Sequence, residues 1–295
     1  MRRDASTQIG YDRATVDAVL DALLMQLPSR RAPWLAGLSG VQGSGKSTLA
    51  RQLADAARRR GIRTRVLALD DFYLGRRERA HLARATHPLL ATRGVPGTHD
   101  LALLARTLRA LRTATAIRPA RIPRFDKGSD TRLPPSRWAR MTAAPRLILI
   151  EGWCVGVPAQ DVRELARALN DLERFDDADG RWRAWVNTRL ATDYTRLWRR
   201  FDALIALVAP DFAIVQRWRD EQERPLRRRR APRALSPAML RRFLMHYERL
   251  GRHALRMLPG IADVLVTLDE ARAVRRIRVA GAKRQRTGST TTAVP

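Results

Sequence analysis

Residues 40–47 read Gly40-Val41-Gln42-Gly43-Ser44-Gly45-Lys46-Ser47, a full match to G-x-x-x-x-G-K-[ST]. Each position has a mechanical reason. Glycines let backbone N–H groups turn inward and cradle phosphate oxygens. The helix that follows adds its positive N-terminal end. Lys46 reaches the β- and γ-phosphates of a bound nucleotide, and the Ser47 hydroxyl is placed to ligate Mg²⁺. Thr48 continues the cradle into the helix. The alternative is a chance glycine-rich turn. With three lysines in the whole chain, an apolar run before the motif and a helical pattern after it, that alternative is poor. The expected ligands are ATP and Mg²⁺. A guanine-reading Asn-Lys-x-Asp string is absent, so adenine is the default base.

Two further apolar runs end in acids. One is Leu69-Asp70-Asp71-Phe72-Tyr73 and the other is Ile150-Glu151-Gly152-Trp153. In open α/β sheets ligands lie beyond the carboxyl ends of the strands, so both acids fall beside the phosphate loop. Phosphoryl transfer to an alcohol uses one carboxylate to accept the hydroxyl proton and another to hold Mg²⁺ or its water. Neighbouring residues of an extended chain point to opposite sides, so Asp70 and Asp71 do not both face the phosphates. The plain alternative for either is a turn or helix-cap carboxylate. Glu151 is the candidate metal-side acid, with Ser47.

Five apolar runs read as the buried strands that hold these residues: 34–38, 65–69, 147–150, 203–208 and 263–268. Helical patterns separate them at 48–60, 101–113, 161–172, 182–200, 212–223 and from 237 towards 257, and one more covers 16–27. The stretch 75–100 reads as loop-rich, and 117–146, with five prolines, as irregular. Such alternation predicts an α/β three-layer sandwich: a five-stranded parallel sheet covered by helices on both faces. The expected organisation is an N-terminal helix in 1–30, one domain over 31–270, and a basic disordered tail over 271–295.

The 295 residues carry 57 Lys+Arg against 29 Asp+Glu, a formal charge of +28. Only Lys46, Lys127 and Lys283 are lysines, which leaves 54 arginines. A surplus of this size first points to nucleic acid or an anionic membrane. Arginine without lysine, spread through an Ala- and Leu-rich chain, equally fits coding bias, and no nucleic-acid-binding signature is present. Nucleic acid is therefore not the expected partner. Cys154 stands alone, which excludes an intrachain disulfide and a multi-cysteine zinc site. The five histidines form no HExxH pattern. No signal peptide and no apolar run near the length of a membrane span is visible, so a soluble, cytoplasmic protein is expected.

Several strings, taken together, resemble the plant-type D-glycerate 3-kinase group of P-loop kinases, which is related to uridine kinase, pantothenate kinase and phosphoribulokinase. They are the phosphate loop, Leu69-Asp70-Asp71-Phe72-Tyr73-Leu74, His87-Pro88-Leu89-Leu90 and Arg93-Gly94-Val95-Pro96-Gly97-Thr98-His99-Asp100. Pro123-Arg124-Phe125-Asp126-Lys127, Ile150-Glu151-Gly152-Trp153, Trp218-Arg219-Asp220-Glu221-Gln222-Glu223 and Phe243-Leu244-Met245-His246-Tyr247-Glu248 continue the likeness over about 35–268. Phe125 stands where the group has Tyr, and Cys154 where it has Met. The resemblance implies a small-molecule kinase that moves the γ-phosphate of ATP to an alcohol, with D-glycerate as acceptor. Other small acceptors, a nucleoside or a pantothenate-like alcohol, and a nucleic-acid-binding NTPase are the alternatives. It implies Asp70 as the base, Glu151 as the Mg²⁺ assistant, and Tyr73, Arg93, His99, Asp100 and Lys127 near an anionic acceptor. It also implies a helical lid over about 210–233, with Arg217, Arg219 and Arg224 closing on the phosphates. A solvated, salt-bridged helix face is the alternative for those arginines, since Asp220, Glu221 and Glu223 lie among them.

Overall fold

The run Leu-Ile-Leu-Ile before Glu151 is buried on both sides, as an apolar strand inside a parallel sheet has to be. The structure, a computed structural model, describes residues 10–29, 33–229 and 235–281. Its main sheet has six strands: β1 (Trp34–Gly40), β2 (Thr64–Ala68), β3 (Leu147–Gly152), β4 (Ala203–Val208), β5 (Val264–Leu268) and β6 (Val274–Val279). Their order is β6-β5-β4-β1-β3-β2. The first five are parallel, and β6 runs antiparallel to β5. β1 sits at the centre, with Ser39 paired to Gly152 of β3 and to Ala206 of β4. From β1 the chain crosses to the β2 edge, and from β3 it crosses back to β4, so the connections diverge beside β1 and β3. Crevices of this kind hold ligands in open α/β sheets.

Helices α1 (Arg13–Gln26), α2 (Lys46–Arg59), α3 (Arg76–Ala85), α4 (Leu101–Arg112), α5 (Arg181–Arg189), α6 (Ala213–Arg228) and α7 (Pro237–Ile261) flank the sheet or cover its carboxyl end. α1 is capped by Asp12, whose carboxylate accepts from Thr15 N–H, and it packs on α2, β4, β5 and β6. α2 packs under β1, β2 and β3. α7 lies on β4 and carries α6 against its side. One apolar core joins these elements. A smaller cluster of Leu89, Leu90, Val95, Leu172, Trp182 and Val186 sits beneath the loops at the sheet's carboxyl end.

Four differences from the sequence reading have physical causes. The segment expected to be a disordered tail contributes β6. An edge strand needs few apolar residues, and Val274 and Ile277 suffice to pack against the core. The remainder of that tail, 282–295, lies outside the described residues, as do residues 230–233 of the expected lid. Second, α3 forms inside the stretch read as loop. Its one buried residue is Arg79, which donates to the carbonyls of Leu74 and Ala91 and pairs with Asp130, and a buried arginine leaves no apolar periodicity to read. Third, 161–172 is not a helix but a short turn, Val162–Leu165, before a wide turn at Leu172–Asp176. Arg249 takes the carbonyls of Glu164 and Arg167 that helix bonds would have used. Fourth, the helix read over 182–200 is interrupted after α5 by a wide turn, Leu190–Tyr194, before it resumes at Thr195–Trp198. Such turns re-aim side chains and recur at functional sites; here the turn ends on Tyr194.

Candidate active site

The phosphate loop leaves β1 and enters α2 through two left-handed glycines, Gly43 at φ +82° and Gly45 at φ +85°. Gly45 occupies the cap position of α2 and brings no capping side chain, so the first-turn N–H groups of the helix have no side-chain acceptor. That is the arrangement an anion completes. Inside the loop the Gln42 side-chain amide and the Ser44 hydroxyl are buried without hydrogen-bond partners. Buried polar atoms of this kind call for a polar ligand.

At the end of β3, Glu151 accepts a hydrogen bond from the Ser47 hydroxyl at 2.7 Å. Burial raises the Glu151 carboxyl above its usual range, against the opposing pull of Lys46 and the Ser47 hydroxyl. A hydroxyl and a carboxylate side by side form the hard-oxygen donor pair that suits Mg²⁺, so the residues present fit that ion.

β2 ends in a tight 3₁₀ turn, Leu69–Phe72, and this turn separates the two aspartates. Asp71 accepts the backbone N–H of Phe125 at 3.0 Å, which ties down the short antiparallel pair formed by Phe125–Asp126 and Thr131–Arg132. Asp70 faces the crevice. Its Oδ2 accepts from Lys127 Nζ at 2.7 Å and its Oδ1 from the Tyr73 hydroxyl at 2.7 Å. Burial by itself would raise the Asp70 carboxyl. Lys127, then Lys46 and the Tyr73 hydroxyl, outweigh it and hold Asp70 well below the usual carboxylate range.

Around Asp70 stand the other candidates. The His99 ring stacks on Tyr73 with centroids 4.6 Å apart. Its Nδ1 lies 2.6 Å from the Tyr194 hydroxyl, which already accepts the Gly97 N–H at 2.9 Å. Which of the two atoms donates in this pair is set by the His99 tautomer. Burial lowers the His99 pKa to about 4, so the ring is neutral at pH 7. Its Nε2 is buried with no partner. Arg93 pairs with Asp130 and lies over the Phe125 ring at 5.7 Å. The Tyr247 hydroxyl donates to the Arg93 carbonyl at 2.7 Å. Asp70, Tyr73, His99, Lys127 and Arg93 thus come together beside Lys46, Ser47 and Glu151.

Three expected site residues are engaged differently. Asp100 caps α4: its Oδ1 accepts from Leu103 N–H at 2.8 Å and its Oδ2 lies 3.4 Å from Arg132. Arg224 is mostly exposed and bonded to Asp220 at 2.9 Å. Arg219 is held by Gln222 and Glu223 of its own helix, but its charge reaches the buried Tyr247 hydroxyl and its Nε is buried and unpaired. Of the pair, Arg219 is the one that borders the site.

Tyr11, Tyr194 and Tyr247, not singled out from the sequence, share a residue type with the expected Tyr73. The chain has four tyrosines, and every hydroxyl bonds to a loop of this site. Tyr73 donates to Asp70, Tyr194 serves His99 and Gly97, Tyr247 holds Arg93, and Tyr11 donates to the Ser44 carbonyl at 2.9 Å.

Comparison with known proteins bears on the family and the fold. No protein-family model matches the chain. The uncharacterized kinase mug58 of Schizosaccharomyces pombe is 34% identical over 241 residues, which cover 79% of this chain and 84% of that one. The chloroplastic D-glycerate 3-kinase of Arabidopsis thaliana is 30% identical over 205 residues, 66% of this chain, and the match spans only 42% of the plant protein. The solved structure of D-glycerate 3-kinase from Cryptococcus neoformans superposes with a TM-score of 0.72 at 22% identity, covering 91% of this chain and all of that one, a likeness of fold. Among the described residues, no helix is long and apolar enough to cross a membrane.

Proposed function

This chain belongs to the P-loop kinase family related to D-glycerate 3-kinase, and from that membership we propose that it transfers the γ-phosphate of ATP to the hydroxyl of a small anionic alcohol, with D-glycerate giving 3-phosphoglycerate as the foremost reaction. The observation that carries the reading is Asp70, an ionised carboxylate at the crevice, held between a hydroxyl and an ammonium next to a phosphate cradle.

In this reading the loop N–H groups and Lys46 bind the nucleotide phosphates, while Ser47 and Glu151 hold Mg²⁺. The ion, when bound, neutralises phosphate charge. The acceptor enters on the Asp70 side. Lys127, on the rim and well exposed, meets the acceptor's carboxylate, and the unpartnered His99 Nε2 offers a hydrogen-bonding site to the acceptor. A carboxylate held far below its usual range is a weak base while its ammonium partner stays in place. An anionic acceptor that draws Lys127 away raises Asp70 and makes it a better acceptor for the hydroxyl proton. A neutral alcohol has no such hold on Lys127, which is the physical reason to favour an acid as substrate. We read α6 as the lid that excludes water, with Arg219 rather than Arg224 turned to the transferring phosphoryl. The identity of D-glycerate rests on what the plant and fungal relatives are named for.

The test is ADP release, measured by a coupled assay, on D-glycerate, pantothenate, uridine and ribulose 5-phosphate. Turnover highest on D-glycerate is expected, and Asp70→Asn should keep ATP affinity while losing about 10²–10⁴-fold in kcat. Preference for pantothenate or uridine would reassign the acceptor, and wild-type turnover in the Asp70→Asn variant would remove Asp70 from the mechanism.

A further inference from the structure

Arg272 lies in the turn between β5 and β6, far along the chain from the phosphate loop and outside every motif discussed above. It is a non-glycine residue in the left-handed region, at φ +69°. The turn imposes that conformation: Arg272 N–H donates to the Asp269 carbonyl at 3.0 Å, and Ala273 N–H donates to the Asp269 carboxylate at 2.8 Å. The side chain then runs inward and is almost fully buried. Its Nε donates to the carbonyl of Gly43, in the phosphate loop, at 2.8 Å. Its Nη2 donates to Glu221, on α6, at 2.6 Å. The guanidinium plane covers the Trp218 ring at 5.0 Å, and the Trp218 indole N–H donates to the Glu270 carbonyl at 2.8 Å. One buried cation therefore touches the phosphate loop, the lid helix and the turn that fixes its own backbone.

Across a trans peptide the C=O and the next N–H point opposite ways. The Gly43 carbonyl is drawn outward by Arg272, and the Ser44 carbonyl is drawn outward by the Tyr11 hydroxyl at 2.9 Å. The Ser44 N–H donates back to the Val41 carbonyl at 3.3 Å and closes the loop's turn, and holding the Ser44 carbonyl towards the protein leaves the next amide, that of Gly45, for the phosphate side. A cradle set in advance does not have to be ordered when the nucleotide arrives.

We propose that Arg272 is a positioning residue for nucleotide binding: it presets the phosphate loop through Gly43 and couples that loop to the lid helix through Glu221. The inference rests on the kinase reading, since it requires a nucleotide in the loop and α6 as lid. When the phosphates engage the loop, the same guanidinium carries the change to α6, and movement of α6 acts back on the loop through the Glu221 contact.

The test uses the full chain with R272A, R272K and E221Q. ADP and ATP affinities are read by calorimetry, KM for each substrate by steady-state kinetics, and the amides of α6 by hydrogen exchange with and without ATP. R272A should weaken ADP by about tenfold, as loss of a charge-assisted contact to the cradle implies, with the acceptor KM unchanged. R272K, which keeps the charge but not the planar fork, should recover only part of the affinity. E221Q should weaken nucleotide binding by less than R272A does and lose the ATP-dependent protection of α6. Should R272A fail to fold, E221Q carries the coupling claim and R272K the affinity claim. Equal ADP affinity in wild type and the Arg272 variants, or undiminished protection of α6 in E221Q, overturns the proposal. A wild-type chain that binds no nucleotide overturns the kinase reading with it, so the two failures are distinguishable.

Discussion

Replacing Lys127 with alanine removes the ammonium 2.7 Å from the Asp70 carboxylate and leaves the rest of its surroundings in place. Burial, until then outweighed, pushes the Asp70 carboxyl up, opposed only by Lys46 and the Tyr73 hydroxyl. Lys127 is well exposed, so the pair interacts through much of the dielectric of water. Two unit charges at that separation and dielectric attract by about 1.5 kcal/mol. Since one pKa unit is about 1.4 kcal/mol, the Asp70 carboxyl should rise by about one unit, and by more if the crevice is drier than bulk water. Carbon-13 NMR of the aspartate carboxyls, followed against pH, reads the shift without turnover. In the pH profile of kcat/KM the acid limb should move upward by a similar amount, whatever Lys127 contributes to acceptor KM. Stability follows the same sign. A depressed carboxylate stabilises the fold above its unfolded pKa and loses that contribution as pH falls through the folded value, so the variant should lose less stability on acidification than the wild type. An Asp70 resonance that titrates at the same pH in both proteins would refute the account of how this carboxylate is held, and with it the release of Asp70 by an anionic acceptor.

Two further outcomes follow from geometry. Gly43→Ala places a methyl at φ +82°, with its carbon 2.6 Å from Trp218 Cβ, so a loss of about 1–3 kcal/mol in urea unfolding is expected together with weakened ADP binding. Wild-type values for both would show that the loop has room to shift. Ending the chain after Ala273 removes β6 and uncovers the backbone edge of β5, so a Tm lower by several degrees and a tendency to associate are expected; an unchanged, monodisperse protein would make β6 dispensable.

Charge illustrates how tertiary context redistributes what composition shows. Most of the 54 arginines read as exposed faces. Yet Arg79, Arg183 and Arg272 are buried, and Arg249 nearly so, each joined to a carboxylate and to backbone carbonyls of distant loops. These four act as internal struts, and Arg79, with Arg93, fixes the turn at Asp130.

The sequence by itself determined what is written in contiguous residues. The phosphate loop, the acids at the ends of β2 and β3 and the five parallel strands depend on neighbours a few positions apart, so their types and spacing carry the information. Tertiary structure decided matters that depend on residues far apart in the chain. It chose Asp70 over Asp71 through a 3₁₀ turn and a bond to Phe125. It gave Asp100 to a helix cap and Arg224 to a surface pair, both local bonds that compete with a ligand for the same charge. It brought Tyr194, Tyr247 and Tyr11 to the site loops and Arg272 to Gly43, across 229 residues in the last case. A polar group recruited over such a distance leaves no local period in the sequence, because the free energy that places it comes from burial and hydrogen bonds formed only once the sheet has assembled.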